Sequence, residues 1–452
     1  VDFKNKATKI NLFNFSSIPM RTFHMTWFAF FLCFFGWFGI APLMAVVRED
    51  LSLTKAQVGN TIIASVAITV VARLFIGWLC DKIGPRKAYT WLLALGSIPV
   101  MTIGLADSYE TFLLFRLAIG AIGASFVTTQ YHTSVMFAPN VVGTANATTA
   151  GWGNLGGGVT QMVMPLILGG VMTFAANESF GWRIAMIVPG LALLTTSFLY
   201  WKLTEDSPDG SYDALRNEGA MDGSDKVTGT FLKACADYRV WALFVIYGAC
   251  FGIELTINNI AALYFHDYFD LGLAAAGMVA GLFGLMNIFA RTLGGVVGDK
   301  WGAKWGLKGR VWFLGTILFA EGLALMLFSQ QTVLPIAIGT MVLFSLCVQM
   351  SEGATYSVVP FINKKALGAV AGIVGAGGNA GAVAAGFLFK SESLSWPQAL
   401  LILGCVVTAC SFLSFMVRFS DADERAVEKE LAERMGAQPA PAEEPALAPE
   451  AA

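Results

Sequence analysis

Charge is what this chain has least of. Asp, Glu, Lys and Arg together make up 13% of its 452 residues, about half the share of a soluble domain, and a soluble enzyme of this length would need that charge to coat its surface. The 29 Lys and Arg nearly balance the 31 Asp and Glu. No basic excess is left to neutralise phosphates, which excludes a nucleic-acid binder. Histidine occurs three times, and the seven cysteines form no CxxC pair. Neither a metal site, nor a disulfide framework, nor a cofactor is expected.

Apolar residues, by contrast, make up 56%, the composition of a polytopic membrane protein. A spanning helix needs about 20 mostly apolar residues. Twelve such runs are found, over 24–47, 57–80, 88–106, 110–136, 142–175, 182–203, 240–265, 272–298, 311–329, 333–359, 366–389 and 396–418. The 48 glycines suit closely packed membrane helices. Residues 1–23 are polar and basic, without the apolar core of a cleavable signal peptide.

The loops alternate in charge. Those on the side of the N-terminus carry 22 Lys and Arg, whereas the opposite side has only Arg48, Lys55, Arg183 and Lys390. The positive-inside rule places both termini in the cytoplasm of a multi-pass plasma (inner) membrane protein. A polar loop over 204–239 separates spans six and seven. The expected organisation is a six-helix lobe over 1–203, a cytoplasmic linker over 204–239, a second six-helix lobe over 240–418, and an acidic, Ala/Pro-rich tail over 419–452. The tail is read as a short helix at 421–435 followed by disorder.

The two halves repeat each other. Span two holds Arg73, Gly77, Asp81, Lys82 and Gly84; span eight holds Arg291, Gly295, Asp299, Lys300 and Gly302, at identical spacing and an offset of 218. Span five holds Gly143, then Gly153, Asn154 and Gly156. Span eleven holds Gly368, then Gly378, Asn379 and Gly381, offset by 225. Two independent matches at nearly equal offsets indicate a duplication in parallel orientation, with a site at the midplane between halves. Gly151, Gly153 and Gly156 match the dinucleotide fingerprint in letter, but no βαβ unit surrounds them.

Arg73 and Arg291 lie eight residues before the loop aspartates. At 1.5 Å per residue that is about 12 Å into the membrane, near the middle of a hydrocarbon core about 30 Å thick. A midplane arginine is costly unless it faces a watery cavity or a partner. Two guanidiniums converging from opposite halves suit a small planar oxyanion. The plainer alternative is that each pairs with a membrane glutamate and locks helices together.

At these residues a resemblance enters. Gly77, Asp81, Lys82, Gly84, Pro85, Arg86 and Lys87 resemble the loop signature of the major facilitator superfamily. The segments at 150–158 and 375–383 resemble the paired glycine signatures of its nitrate/nitrite porter family. The resemblance covers 20–418, and the loop signature is degenerate in the second half. It implies an all-α membrane protein of twelve helices in two pseudo-symmetric lobes. It also implies nitrate or nitrite as substrate, gripped by Arg73 and Arg291. Phe126 and Phe251 would flank the anion, Tyr247 would donate its hydroxyl, and Asn154 and Asn379 their amides. Gly77, Asp81, Lys82 and Asp299, with Gly153, Gly156, Gly378 and Gly381, would serve gating and helix packing.

Three carboxylates also lie within spans. Tyr247, Phe251, Glu254 and Asn258 follow at i, i+4, i+7 and i+11 and so share one helix face. That places Glu254 beside the anion. Glu352 falls in span ten, and Glu321 in span nine, where a structural hydrogen bond is expected. A carboxylate near two arginines and an anion could take up a proton in some states only, which is what coupling requires. Glu254 and Glu352 are therefore the proton-coupling candidates, with His132 as an alternative relay, for which a satisfied packing role is the preferred reading. His24 is expected to anchor the first helix, and Arg116 opens a further superfamily-like pattern.

The leading function is a secondary transporter, working as a nitrate/proton symporter in nitrate assimilation, with nitrate/nitrite exchange as the alternative. A non-transporting nitrate sensor would need a cytoplasmic domain that the chain does not offer. An enzyme is not expected, because no nucleophile–base or metal constellation is found. Nothing demands an oligomer.

Overall fold

The computed structural model of the protein describes residue 3 and residues 5–138, 141–175, 177–217, 228–363, 367–421 and 423–425. Among them regular structure is helical throughout, without a strand. Ten segments are long and apolar enough to cross a membrane. We label the helices α1 (Ile18–Asp50), α2 (Lys55–Ile83), α3 (Pro85–Leu105), α4 (Tyr109–Met136), α5 (Val142–Val171) and α6 (Glu178–Leu203). The second half begins with α7 (Tyr238–Phe269). The continuous helical stretch Leu273–Ser329, 57 residues long, would measure about 85 Å at 1.5 Å per residue, more than twice the hydrocarbon core. It breaks where Trp305 leaves helical geometry and Gly306 adopts φ +67°, which a side chain resists. We call the arms α8 (273–304) and α9 (307–329). The series closes with α10 (Leu334–Phe361), α11 (Leu367–Lys390) and α12 (Trp396–Met416). These helices correspond to the twelve expected runs.

Local chemistry sets several helix ends. Thr54 with Gln57, Ser108 with Thr111, and Ser395 with Gln398 form reciprocal caps that start α2, α4 and α12, satisfying otherwise orphan N–H groups. Between α2 and α3 the chain turns at Gly84, φ +89°, and Pro85 opens the next helix. A Cβ on Gly84 would lie 2.3 Å from Asp206 Oδ1. Asp206 in turn accepts from the backbone N–H of Arg86, at 3.0 Å, and of Tyr212. Burial pushes its carboxyl up from the ordinary value, against those hydrogen bonds. The stretch after α6 is thus not simply a polar linker. Its first part packs under the α2–α3 turn and includes the short helix Tyr212–Asn217. A second short helix, Thr228–Cys235, precedes α7. Residues 218–227, Lys364 and Lys365, and most of the tail helix expected at 421–435 lie outside the described residues.

α1 and α7, equivalent by the repeat, are the most buried of the spanning helices. α1 packs on α5, and α7 on α11. Between the halves, α2 packs on α11 and α5 on α8. The repeat exchanges α2 with α8 and α5 with α11, so these two contacts are images of one another. Their close approaches run from the middle of the membrane toward the face opposite the N-terminus, here called the far face. A Cβ on Gly284 would lie 2.4 Å from Gly158 Cα, one on Gly59 2.4 Å from Lys390 Cα, and one on Gly386 2.5 Å from Ile63.

Candidate anion site at the midplane

The twin glycine segments press their helices onto aromatic residues. A Cβ on Gly153 would fall 1.9 Å from a ring carbon of Phe30, and one on Gly378 2.3 Å from a ring carbon of Phe251. Gly156 and Gly381 face the backbone oxygens of Phe31 and Gly248, 2.1 and 2.2 Å from where a Cβ would stand. α5 therefore holds Phe30 of α1 in place, as α11 holds Phe251 of α7. Phe30 leans on Phe126, ring centroids 5.9 Å apart. Each half thereby fixes one ring beneath one arginine: the Arg73 guanidinium lies 5.2 Å from the Phe126 centroid and that of Arg291 6.0 Å from Phe251. Such placement is favourable for a desolvated cation.

Both arginines are buried, but their partners differ. Arg73 donates across the seam to the carbonyl of Gly375, 2.9 Å away, and its Nε has no hydrogen-bond partner among the described residues. No carboxylate pairs with it among those residues. Arg291 donates to the Tyr247 hydroxyl at 2.9 Å and pairs with Glu352 at 2.6 Å. The plainer alternative raised by the sequence, an arginine locked to a glutamate, thus holds for Arg291 and not for Arg73. Tyr247 stacks on Phe251 at 5.2 Å and meets Tyr356 edge-on.

Tyr356 is the residue that sequence reasoning missed. It lies within electrostatic reach of both arginines, and its buried hydroxyl makes no hydrogen bond among the described residues. Its signal was its place one turn after Glu352. Asn287 was missed likewise, one turn before Arg291, and donates to Glu254 at 2.8 Å.

Glu254 is fully buried. It accepts from Asn287 on one oxygen and from Asn154, at 3.4 Å, on the other. Glu352, likewise fully buried, makes the ion pair with Arg291 and has no hydrogen-bond partner among the described residues. The Asn154 amide N–H is thus engaged by Glu254 here, and only its oxygen lacks a partner. Asn379 is buried, with both amide atoms unpartnered among the described residues.

Other expectations need correction. His132 does not join the group. Its ring nitrogens bond the Tyr200 hydroxyl and the Glu205 carbonyl, both at 2.6 Å, which ties α4 to α6 and the stretch beyond. Gly77 has room for a methyl group, the nearest atom being a Val127 methyl at 3.6 Å, so close packing does not demand a glycine there. Asp299 is engaged within its own half by Arg310, and Lys82 lies over Trp78; neither joins the two halves. Of Asp81 only the backbone is described. Glu321 is buried inside the second half, and both its oxygens lack a hydrogen-bond partner among the described residues, so the expected structural hydrogen bond is not found. His24 bonds the Leu12 carbonyl and Trp27 near the start of α1, as expected.

Residues 26–361 match the sequence model of the Major Facilitator Superfamily. The "High affinity nitrate transporter 2.5" of Arabidopsis thaliana is 40% identical over 424 residues, covering 93% of this chain and 84% of that protein. The chain belongs to the nitrate/nitrite porter family of the major facilitator superfamily. The "Nitrate/nitrite transporter NrtP" of a Picosynechococcus species is 29% identical over 451 residues, with 80% and 83% of the two chains covered. Among solved structures, a bacterial homologue of the human lysosomal transporter Spinster, inward-facing and occupied, superposes with a TM-score of 0.70 at 15% identity. That match covers 90% of this chain and 98% of the other, and it shows the shared fold.

Proposed function

We propose that this porter carries nitrate, and nitrite as a related planar anion, by alternating access, and that each passage is coupled to a proton. One observation carries the proton part: Glu352 stands 2.6 Å from Arg291, and Glu254 is buried in the same group, accepting from Asn287 and Asn154. Two carboxyl groups buried in one cluster resist joint ionisation, so the cluster favours taking up a proton. While Glu352 is ionised it occupies the Arg291 fork and competes with the anion. A proton on the pair neutralises Glu352 and turns that fork toward nitrate. Proton and anion then favour each other's binding, and by linkage the effect is reciprocal.

Among the described residues Arg73 has no ionic competitor. With Phe126, Phe251 and the Tyr356 hydroxyl it provides the standing part of the anion site. The basic near face is cytoplasmic in this reading, and residues 1–203 and 240–418 are the two bodies that rock about the site. The nitrate transporters among the relatives support the choice of anion.

The test is uptake of labelled nitrate by purified protein in liposomes free of internal nitrate and nitrite. Accumulation driven by an inward proton gradient is the expected result. Uptake that requires internal nitrite and ignores the gradient would replace symport by exchange, leaving the glutamates a structural role.

A further inference from the structure

An anion arriving from the far side meets an unfavourable surface. The loops of that face carry twice as many Asp and Glu as the four basic residues Arg48, Lys55, Arg183 and Lys390. Arg183 is spent within the first half, on Asp50 and the carbonyl of Gly104. Two of the remaining three cations meet at the seam. Arg48, at the end of α1, makes a two-pronged pair with Asp267 near the end of α7, at 2.5 and 2.9 Å. Lys55, at the start of α2, donates to the carbonyls of Ser391 and Leu394, beyond α11. It keeps its charge without an ion pair among the described residues. Between them lies a cavity of about 170 Å³ lined by Arg48, Lys55, Asp267, Tyr268 and Trp396 with Val58 and Leu263, ample for a small oxyanion.

We propose that Arg48 and Lys55 form a second anion site, a recruiting station at the far mouth, which Asp267 occupies while that mouth is closed. The site rests on the anion-transport reading above. The Arg48 and Asp267 side chains are about a quarter to a third exposed, and such pairs open at little cost. When the halves part on this side, α7 withdraws Asp267 from Arg48, and Lys55 loses the carbonyls of the other half. Two cations from the first half then line the mouth together, on a face that otherwise repels anions. Local positive potential raises the encounter rate of a small anion and fades with salt. The acidic partner thus serves as a placeholder for the substrate and as the latch of the closed state.

The experiment separates the two duties. In proteoliposomes with nitrate supplied at the far face, D267N removes latch and placeholder together and should lower the KM for nitrate. Adding R48Q to D267N changes nothing in the latch, which is already gone. It should raise KM about three- to tenfold over D267N and flatten its rise with ionic strength, with kcat changed less. A double variant within twofold of D267N would overturn the proposal and leave the pair a latch only. Should either variant fail to fold, the wild type decides. Its KM must rise with added potassium gluconate, and a KM indifferent to ionic strength overturns the station. Failure of the anion-transport reading itself looks different, because then the wild type carries no nitrate at any salt concentration.

Discussion

Glu352 makes its ion pair with Arg291 alone of the two midplane arginines, while Arg73, its counterpart by repeat, spends a donor on the carbonyl of Gly375. A twofold arrangement of cations is thereby made unequal by one carboxylate. The two arginines should consequently respond differently to substitution of their surroundings and alike to substitution of themselves.

Arg73→Lys and Arg291→Lys each keep the charge and lose the planar fork. Hydrogen bonds to charged groups contribute about 1.5–3 kcal/mol, so each variant should weaken nitrate binding roughly tenfold to a hundredfold. Isothermal titration of detergent-purified protein reads this directly. Near-wild-type affinity in both variants would remove the anion from this site.

Glu352→Gln frees Arg291 at every pH. Nitrate affinity should hold or rise, its dependence on pH should flatten, and gradient-driven accumulation should be lost while counterflow continues. Glu254→Gln should weaken accumulation more than binding. If gradient-driven accumulation survives both substitutions, neither carboxyl carries the proton.

The glycines divide by what a methyl group would strike. Gly156→Ala puts a Cβ 2.1 Å from the Phe31 carbonyl oxygen, a backbone atom that cannot rotate away, and overpacking of this kind costs about 1–3 kcal/mol. Gly77→Ala meets only ordinary contact at 3.6 Å and should be neutral or slightly stabilising by helix propensity. Thermal unfolding in detergent should show a clear loss for the first and none for the second. Equal losses would mean that the packing described for α1 and α5 is not what Gly156 serves.

Asp206 accepts one backbone N–H on each carboxylate oxygen. Asp206→Ala leaves both donors unpaired and should destabilise by about 1–3 kcal/mol, detaching the stretch after α6 from the α2–α3 turn. Protease susceptibility of the 204–217 segment would report the detachment, and unchanged protection would show that the ion pair of Arg86 with Glu205, at 2.9 Å, suffices.

What was legible beforehand was whatever the duplication wrote twice. The arginines and the glycine segments recur at matched offsets, whereas Phe126 and Phe251, on helices the repeat does not relate, came only from the family resemblance. Tyr356 and Asn287 were hidden because an uncharged polar residue in a span carries no penalty large enough to stand out. A helical-face count from Glu352 and Arg291 would have reached both. The packing role preferred for His132 holds, but its partners, Tyr200 and Glu205, come from chain segments that local spacing cannot join to it. The same distance in sequence concealed the Asp206 cap. The break at Trp305 and Gly306, in contrast, falls inside the polar interval between the eighth and ninth apolar runs.

The crossed pairing of α2 with α11 and α5 with α8 has one more consequence. Exchanging the halves maps each contact onto the other, so the seam is isologous, as in a twofold homodimer. The protein is in that sense a dimer whose subunits have drifted apart in sequence while sharing one chain. Its covalent connection then secures stoichiometry more than geometry, and two halves made as separate polypeptides should find each other in the membrane and restore transport.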